Sequence, residues 1–266
     1  MGEGRDKPVE LTAAQLLATV CNAVEPLEFV NAMWLGGSQA FGEDDEYSDI
    51  DIQVDCADGR QDEVFAAVES ALGNLSPIEL KWRLPEPAWH GHSQALYRLE
   101  NTPEWLLIDL VVMQRSSEAP RLDEREIHGE PVVLFDKLGV IKAVHADAEA
   151  VRRQIYERVM DLRMKFDLFS HFPAKELKRG RYLDALWRYN TYVLGPLLGI
   201  LRAKYSPWRF NWGPRYLQRD LPPEIYERLL GLTFVADEAE LIAKVDWAVA
   251  WAREEFAAFE MNELQH

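Results

Sequence analysis

The chain has 266 residues and a formal net charge of −16, with 48% hydrophobic, 11% aromatic and 28% charged residues. These proportions are typical of folded globular proteins and argue against disordered, collagen-like or coiled-coil chains. The length fits one large domain or two of ordinary size. Two cysteines are too few for a disulfide framework, and no apolar run approaches the roughly 18 residues that span a bilayer. A cytoplasmic protein without a membrane role is expected.

The first half of the sequence predicts a mixed sheet with few helices. Thr12 and Gln15 have capping-box spacing at the start of an apolar-periodic helix, which Pro26 should end. A second helix is predicted over 62–72. Apolar runs and alternating patterns predict strands over 29–35, 48–54, 78–84, 95–99, 105–113 and 132–135.

After residue 136, long amphipathic stretches replace the strand-like runs. Helices are predicted over 143–172, 174–205, 223–230 and 238–259. We place the domain boundary near residue 140, which gives domains 1–140 and 141–266. The expected fold class is α+β, with a small mixed-sheet domain followed by an all-α C-terminal domain.

The charge is distributed unevenly along the chain. Residues 1–151 hold 11 basic and 29 acidic side chains, residues 152–219 hold 15 and 5, and residues 220–266 hold 3 and 11. The blocks therefore carry −18, +10 and −8. An acidic chain disfavours nonspecific binding to nucleic acid, whereas the basic block predicts a local surface that meets an anion. The alternative is that its basic side chains pair with acidic ones inside the protein.

A glycine-rich turn follows the first predicted strand. Gly36, Gly37 and Ser38 lie between that strand and a predicted helix, and Gly42 follows shortly after. Glycines let a ligand approach the backbone closely, and backbone N–H groups with a hydroxyl can bind phosphate. The turn therefore predicts a phosphate-binding segment, with a purely structural turn as the alternative.

Three aspartates on predicted strands are candidates for metal binding. Asp49 and Asp51 are two residues apart, so both should project from one face of their strand, opposite Ile50 and Ile52. A divalent cation such as Mg²⁺ is a reason to hold two like charges so close. Asp109 is an isolated carboxylate in an apolar run, which is costly unless the group is paired or metal-bound. The alternative for Asp109 is a cap on a neighbouring turn.

Together, the glycine-serine turn, the paired aspartates and the later strand aspartate resemble the polymerase-β nucleotidyltransferase superfamily. Within it, the chain resembles the bacterial antibiotic nucleotidyltransferases, which modify aminoglycosides and lincosamides, over residues 34–54 and 105–113. The resemblance implies that Gly37 and Ser38 hold the phosphates of the nucleotide. It also implies that Asp49 and Asp51 bind two Mg²⁺ ions, and that Asp109 completes the set beside the acceptor hydroxyl.

The basic block offers further candidates for the outer phosphates of a nucleoside triphosphate. Lys175 and Lys178 lie at the start of the predicted second long helix, and long basic side chains suit phosphate oxygens. Arg209, Arg215 and Arg219 surround an aromatic loop over 208–216. That loop could stack on a base, although packing against the helices is the simpler interpretation.

Other polar residues receive weaker assignments. The acidic run 43–46 is interpreted as a solvated face. His90 and His92 are interpreted as loop residues, because no Cys or His stands at zinc-ligand spacing from them. Glu79 could act as a base toward an acceptor, but a solvent-facing strand residue is the simpler interpretation.

The sequence thus predicts a Mg²⁺-dependent nucleotidyltransferase that moves a nucleoside monophosphate, AMP from ATP, to a hydroxyl of a small acceptor. The acidic N-terminal block favours a cationic acceptor such as an aminoglycoside. A nucleotidyltransferase acting on RNA or protein, as some toxin and antitoxin relatives do, is the first alternative. A catalytically silent nucleotide-binding module is the second.

Overall fold

A computed structural model describes residues 10–119, 121–122, 124–142 and 144–259. The chain forms two compact units, residues 1–146 and 147–266. The first combines a mixed six-stranded sheet with helices, and the described residues of the second are helical or lie in turns. The expected α+β fold class is confirmed.

The first unit is organised around its sheet. The strands are β1 (Val30–Leu35), β2 (Ile50–Cys56), β3 (Ile78–Arg83), β4 (Ser93–Leu99), β5 (Ile108–Gln114) and β6 (Val132–Asp136). They are arranged in the order β3-β4-β5-β2-β1-β6. The central strands β2 and β5 are parallel to each other, and every other neighbouring pair is antiparallel.

Helices cover one face of this sheet. They are α1 (Ala13–Val24) and α3 (Gln61–Leu75). The first unit also contains two short helices, α2 (Gly37–Phe41) and α4 (Arg125–His128). The predicted capping box at the start of α1 is confirmed, because Thr12 and Gln15 each accept a hydrogen bond from the other's backbone N–H. The apolar sides of α1 and α3 pack on the strands in one large core cluster.

The two faces of the sheet differ in chemistry, because successive strand side chains point in opposite directions. Ile50 and Ile52 of β2 and Ile108 of β5 lie in the helix-covered core. Asp51 and Asp109 therefore lie on the opposite face. That face has a smaller apolar cluster built around Ala32, Trp34, Val111, Met113 and Val140.

The second unit is a set of helices. They are α5 (Ala148–Phe169), α6 (Phe172–Leu177), α7 (Tyr182–Tyr189), α8 (Gly195–Tyr205), α9 (Leu217–Asp220), α10 (Pro223–Leu230) and α11 (Glu238–Ala258). A π-helical turn, Asn190–Leu194, joins α7 to α8. Buried residues recur every three or four positions along α5, at Val151, Ile155, Val159, Leu162 and Phe166. No helix in the described ranges has both the length and the apolar character needed to cross a membrane.

Two predicted elements in the second unit differ from the structure. The helix predicted over 174–205 is wrong as a single element, because the chain turns after α6 and Gly180 adopts a left-handed φ of +70°. The segment continues as α7, the π-helical turn and α8, and the π-helical turn precedes Pro196, which has no N–H to donate. The helix predicted from residue 143 begins at Ala148, where the Asp147 side chain caps it.

The strand predicted over 105–113 begins later than expected. It starts at Ile108, because the chain turns at 103–106, where the Leu106 N–H donates to the Pro103 carbonyl over 3.0 Å. Trp105 and Leu106 therefore belong to this turn, and the Leu107 carbonyl accepts from the Ile50 N–H over 2.9 Å. The shift leaves Asp109 as the second residue of β5.

Candidate active site

Two carboxylates occupy matching positions on the parallel central strands. Asp51 of β2 and Asp109 of β5 are register partners, and neighbouring strands lie about 4.8 Å apart. Both aspartates are partly exposed, and Asp49, just before β2, is exposed. The sheet therefore places two of the three predicted carboxylates side by side on its less covered face. Asp49 precedes β2, so the prediction that Asp49 and Asp51 share one face of a strand is wrong for Asp49.

The glycine-rich turn lies directly against Asp51. A Cβ atom at Gly37 would stand 1.7 Å from Asp51 Oδ2, and Gly37 has a left-handed φ of +55°. Glycine is therefore required here both by the backbone and by the space that the carboxylate occupies. The Gly36 N–H donates to the Asp51 carbonyl over 3.0 Å. Ser38, which follows Gly37, is buried.

Hydrogen bonds tie the turn and α2 to their surroundings. The Gln39 side chain donates to the Asp49 carbonyl over 3.1 Å, which links α2 to the start of β2. The Ala40 carbonyl accepts from the Glu130 N–H over 2.9 Å. A Cβ at Gly129 would lie 2.6 Å from that carbonyl oxygen, so glycine permits this close approach. These contacts hold α2 against the residue before β2 and against the segment 129–130.

Asp109 is held by a side chain of the neighbouring strand. Gln94 of β4 donates through Nε2 to both carboxylate oxygens of Asp109, over 2.7 and 2.9 Å. The sequence analysis did not identify Gln94. Its place in the alternating pattern of β4 predicts the face on which it lies, but the contact depends on the register of β4 with β5.

The carboxylates match the ligand chemistry of Mg²⁺. This ion takes hard oxygen ligands and is commonly bound by one or two carboxylates together with substrate phosphates and water. The side-by-side Asp51 and Asp109, with a cradle at Gly37 that any Cβ would fill, fit that description. Within the described parts of the chain, no group of three or more His, Cys, Asp or Glu side chains is arranged to hold a metal ion.

Lys175 and Lys178 lie in the second unit, on α6 and at its C-terminal cap. Lys175 Nζ is 5.2 Å from the centre of the Phe172 ring, in cation–π geometry. Between them, Glu176 is buried. Three arginines surround its carboxylate at N–O distances of 3.1, 3.6 and 3.9 Å, namely Arg179, Arg181 and Arg188. Part of the basic block is thus paired internally.

A second internal cluster explains the arginines around the aromatic loop. Arg202 and Asp220 are both buried and pair at 2.7 Å, and Arg209 and Arg219 bind the same carboxylate at 2.9 and 2.7 Å. Burial raises the pKa of Asp220, but hydrogen bonds from the three arginines outweigh it and hold that pKa well below its usual range. Arg209 and Arg219, considered for phosphate binding from sequence, are thus engaged with Asp220.

The aromatic loop also makes internal contacts. The rings of Trp212 and Tyr216 lie 5.9 Å apart between centres. The guanidinium of Arg215 lies over both rings, at 5.5 and 5.8 Å. These residues of the loop therefore pack on one another, and the packing of the loop against the helices stays a prediction.

Two of the weaker candidates have other partners. Glu79 forms an ion pair with Arg98 at 3.0 Å, which favours the structural interpretation over a role as a base. The rings of His90 and His92 lie 5.4 Å apart, and neither belongs to a metal-binding group in the described ranges.

The acidic run before β2 forms a structured loop with an exposed aromatic pair. Asp45 accepts from the Tyr47 N–H and from the Ser48 hydroxyl. The Trp105 indole donates to the Glu46 carbonyl over 2.9 Å. The rings of Tyr47 and Trp105 lie 5.4 Å apart, with 62% and 49% of their surfaces exposed. The acidic run 43–46 and the exposed rings of Tyr47 and Trp105 thus lie in and against the loop that precedes Asp49.

The solved structures that resemble the chain include two that align over most of it. One is an aminoglycoside 6-adenyltransferase from Bacillus subtilis, which is 14% identical with a TM-score of 0.33, covering 94% of both chains. The other is a nucleotidyltransferase-like protein from Exiguobacterium sibiricum, which is 12% identical with a TM-score of 0.38, covering 93% of this chain and 75% of the other. No protein-family model and no curated protein matches the chain. At these identities and TM-scores neither likeness decides the reaction, so the function has to be argued from the chain's own residues.

Proposed function

We propose that the protein is a Mg²⁺-dependent nucleotidyltransferase that moves AMP from ATP to a hydroxyl of a small acceptor. One observation carries the proposal: Asp51 and Asp109 are register partners on adjacent strands, and the Gly37 turn lies against Asp51. Carboxylates beside a glycine turn suit a triphosphate and the cations that accompany it. The division into a nucleotidyltransferase domain, 1–140, and a helical domain, 141–266, is part of the proposal.

In this proposal the residues of the turn bind the donor. Gly37 and Ser38 bind phosphate oxygens through backbone N–H groups and the hydroxyl. A role of Lys175 and Lys178 at the outer phosphates stays a prediction from the sequence. Asp49, Asp51 and Asp109 would hold two Mg²⁺ ions. Such ions neutralise charge on the phosphates and lower the pKa of an attacking hydroxyl.

The transfer forms one bond and breaks another at the α-phosphorus. The acceptor oxygen bonds to the α-phosphorus, and the bond from that phosphorus to the bridging oxygen breaks, so that pyrophosphate leaves with the electron pair. Asp109 takes the proton of the acceptor hydroxyl in this proposal, because its carboxylate lies beside Asp51. Most of the catalysis then comes from positioning and charge stabilisation.

The surface near Asp49 supports a cationic acceptor. The acidic loop with the exposed rings of Tyr47 and Trp105 offers both ion pairing and cation–π contacts to an amine. This combination is what an aminoglycoside or a similar hydroxylated amine needs for binding. A polyanion would be repelled from the same surface.

The internal arginine clusters weigh against the alternative of an RNA acceptor. An RNA acceptor would need the basic block 152–219 as its binding surface, but Arg179, Arg181 and Arg188 surround Glu176. Arg202, Arg209 and Arg219 surround Asp220 in the same way. Much of the positive charge therefore stabilises the helical unit itself.

Incubation with ATP, Mg²⁺ and a panel of hydroxylated amines tests the proposal. We expect pyrophosphate release together with an acceptor whose mass increases by one AMP, and neither with Asp51→Asn. ATP binding without product from any acceptor in the panel would favour the silent nucleotide-binding module. Equal product from Asp51→Asn would contradict the proposed site.

A further inference from the structure

A chain of hydrogen bonds leads from Asp109 to the backbone of the loop that precedes β4. Gln94 Nε2 donates to both oxygens of Asp109. Gln94 Oε1 in turn lies 3.1 Å from His90 Nε2, and His90 Nδ1 lies 3.2 Å from the His92 backbone nitrogen. Two side chains therefore connect the carboxylate to a main-chain amide.

The His92 backbone N–H, at the end of this series of hydrogen bonds, determines which atom donates in each of the other bonds. A backbone N–H can only donate, so His90 Nδ1 must accept and the ring proton of neutral His90 must reside on Nε2. Nε2–H then donates to Gln94 Oε1. The amide NH₂ of Gln94 is thereby turned toward Asp109, which as a carboxylate can only accept.

The loop that carries His90 is itself fixed by hydrogen bonds. The Ala88 N–H donates to the His92 carbonyl over 3.0 Å, and the Gly91 N–H donates to the Ala88 carbonyl over 2.8 Å. The Ser93 hydroxyl donates to Glu86 over 2.8 Å. His90 is therefore held by an ordered turn, which gives Gln94 a stable partner.

We propose that Gln94 and His90 are positioning residues that hold the Asp109 carboxylate in one orientation toward the acceptor hydroxyl. This inference rests on the proposed function, in which Asp109 takes the proton of that hydroxyl. Partners that orient an active-site carboxylate typically contribute about 10- to 100-fold to activity. Sequence reasoning gave Gln94 no role and interpreted His90 as a loop residue only.

Kinetics of matched variants test the proposal first. Gln94→Leu and His90→Phe should each lower kcat by roughly 10- to 100-fold, with KM for ATP within about 2-fold of the wild type because the donor site is intact. His90→Gln should restore most of the activity, because its amide can donate where Nε2–H did. Gln114→Leu is the control, since Gln114 on β5 bonds the Gly59 N–H and not Asp109.

Two measurements that need no activity complete the test. Nitrogen-15 NMR should find His90 as the Nε2–H tautomer in the wild type and also in Gln94→Leu, because the His92 N–H that donates to Nδ1 is kept. Crystal structures should show Asp109 rotated in Gln94→Leu and unchanged in Gln114→Leu. Wild-type kcat in both Gln94→Leu and His90→Phe, an Nδ1–H tautomer, or an unmoved Asp109 would overturn the proposal. If the wild type transfers nothing, the proposed function fails, whereas the tautomer and the Asp109 orientation still decide the positioning chain.

Discussion

The contact between Gly37 and Asp51 predicts that Gly37→Ala will displace the Asp51 carboxylate of the proposed site. The new Cβ would lie 1.7 Å from Asp51 Oδ2, and real Cβ contacts are essentially never shorter than 3.0 Å. The carboxylate or the turn must therefore move by more than 1 Å. A misplacement of about 1 Å can cost about 100-fold in rate, so we expect at least that loss in kcat/KM.

The same substitution also strains the backbone, and a control separates the two effects. Alanine at the left-handed φ of +55° costs roughly 1–2 kcal/mol of stability. Gly59 has a comparable φ of +74° but open space where its Cβ would be. Gly59→Ala should therefore lose a similar amount of unfolding free energy while keeping its activity.

The assay is pyrophosphate release under saturating acceptor, combined with urea unfolding of both variants. Gly37→Ala should be much less active than Gly59→Ala at similar or slightly lower stability. If Gly37→Ala and Gly59→Ala transfer AMP at rates within about 3-fold of each other, the turn and Asp51 do not form one site and the reasoning fails.

Three further predictions concern the aspartates, Ser38 and His128. Asp49→Asn and Asp51→Asn should each abolish metal-dependent transfer. The melting temperature should stay the same or rise slightly, because one of two like charges is removed. A lower melting temperature with normal activity would contradict this prediction. Ser38→Ala should weaken ATP binding by roughly 1–3 kcal/mol, measured by calorimetry, and unchanged affinity would mean that the turn does not contact phosphate. Burial lowers the pKa of His128 to about 4, and the Glu124 carboxylate, 3.4 Å from Nε2, opposes this shift. The unfolded chain therefore binds the extra proton first, and stability decreases as the pH is lowered below about 6.5. From pH 7 to 5 the wild type should lose up to about 2 kcal/mol more than His128→Gln in urea unfolding, and parallel losses would refute this.

Local signals made much of the fold predictable. The capping box at Thr12 and Gln15 predicts the start of α1, and the alternation around Ile50 and Ile52 predicts β2 within two residues at each end. These features depend only on nearby residues.

Helix breaks could not be predicted in the same way. The turn at Gly180 follows a basic stretch that continues the amphipathic pattern of α6. Periodicity alone therefore predicts an unbroken helix.

The site itself depends on contacts that are distant in sequence. The sequence pattern predicts that Asp51 and Asp109 bind metal. Only the parallel register of β2 and β5 shows that they lie side by side. The close approach of Gly37 to Asp51 and the bond from Gln94 to Asp109 likewise follow from strand order. For the same reason sequence could not assign Arg209 to Asp220 in preference to a phosphate.

The fate of the two ends of the triphosphate tests the central claim most directly. Wild-type protein is incubated with Mg²⁺, a hydroxylated amine acceptor, and ATP labelled with phosphorus-32 at either the α or the γ position. Nucleotidyl transfer at the Asp51–Asp109 site predicts that the α label appears on the acceptor and the γ label in pyrophosphate, and that Asp51→Asn yields neither. Transfer of the γ label to the acceptor, or α-labelled product from Asp51→Asn equal to that of the wild type, would contradict the account.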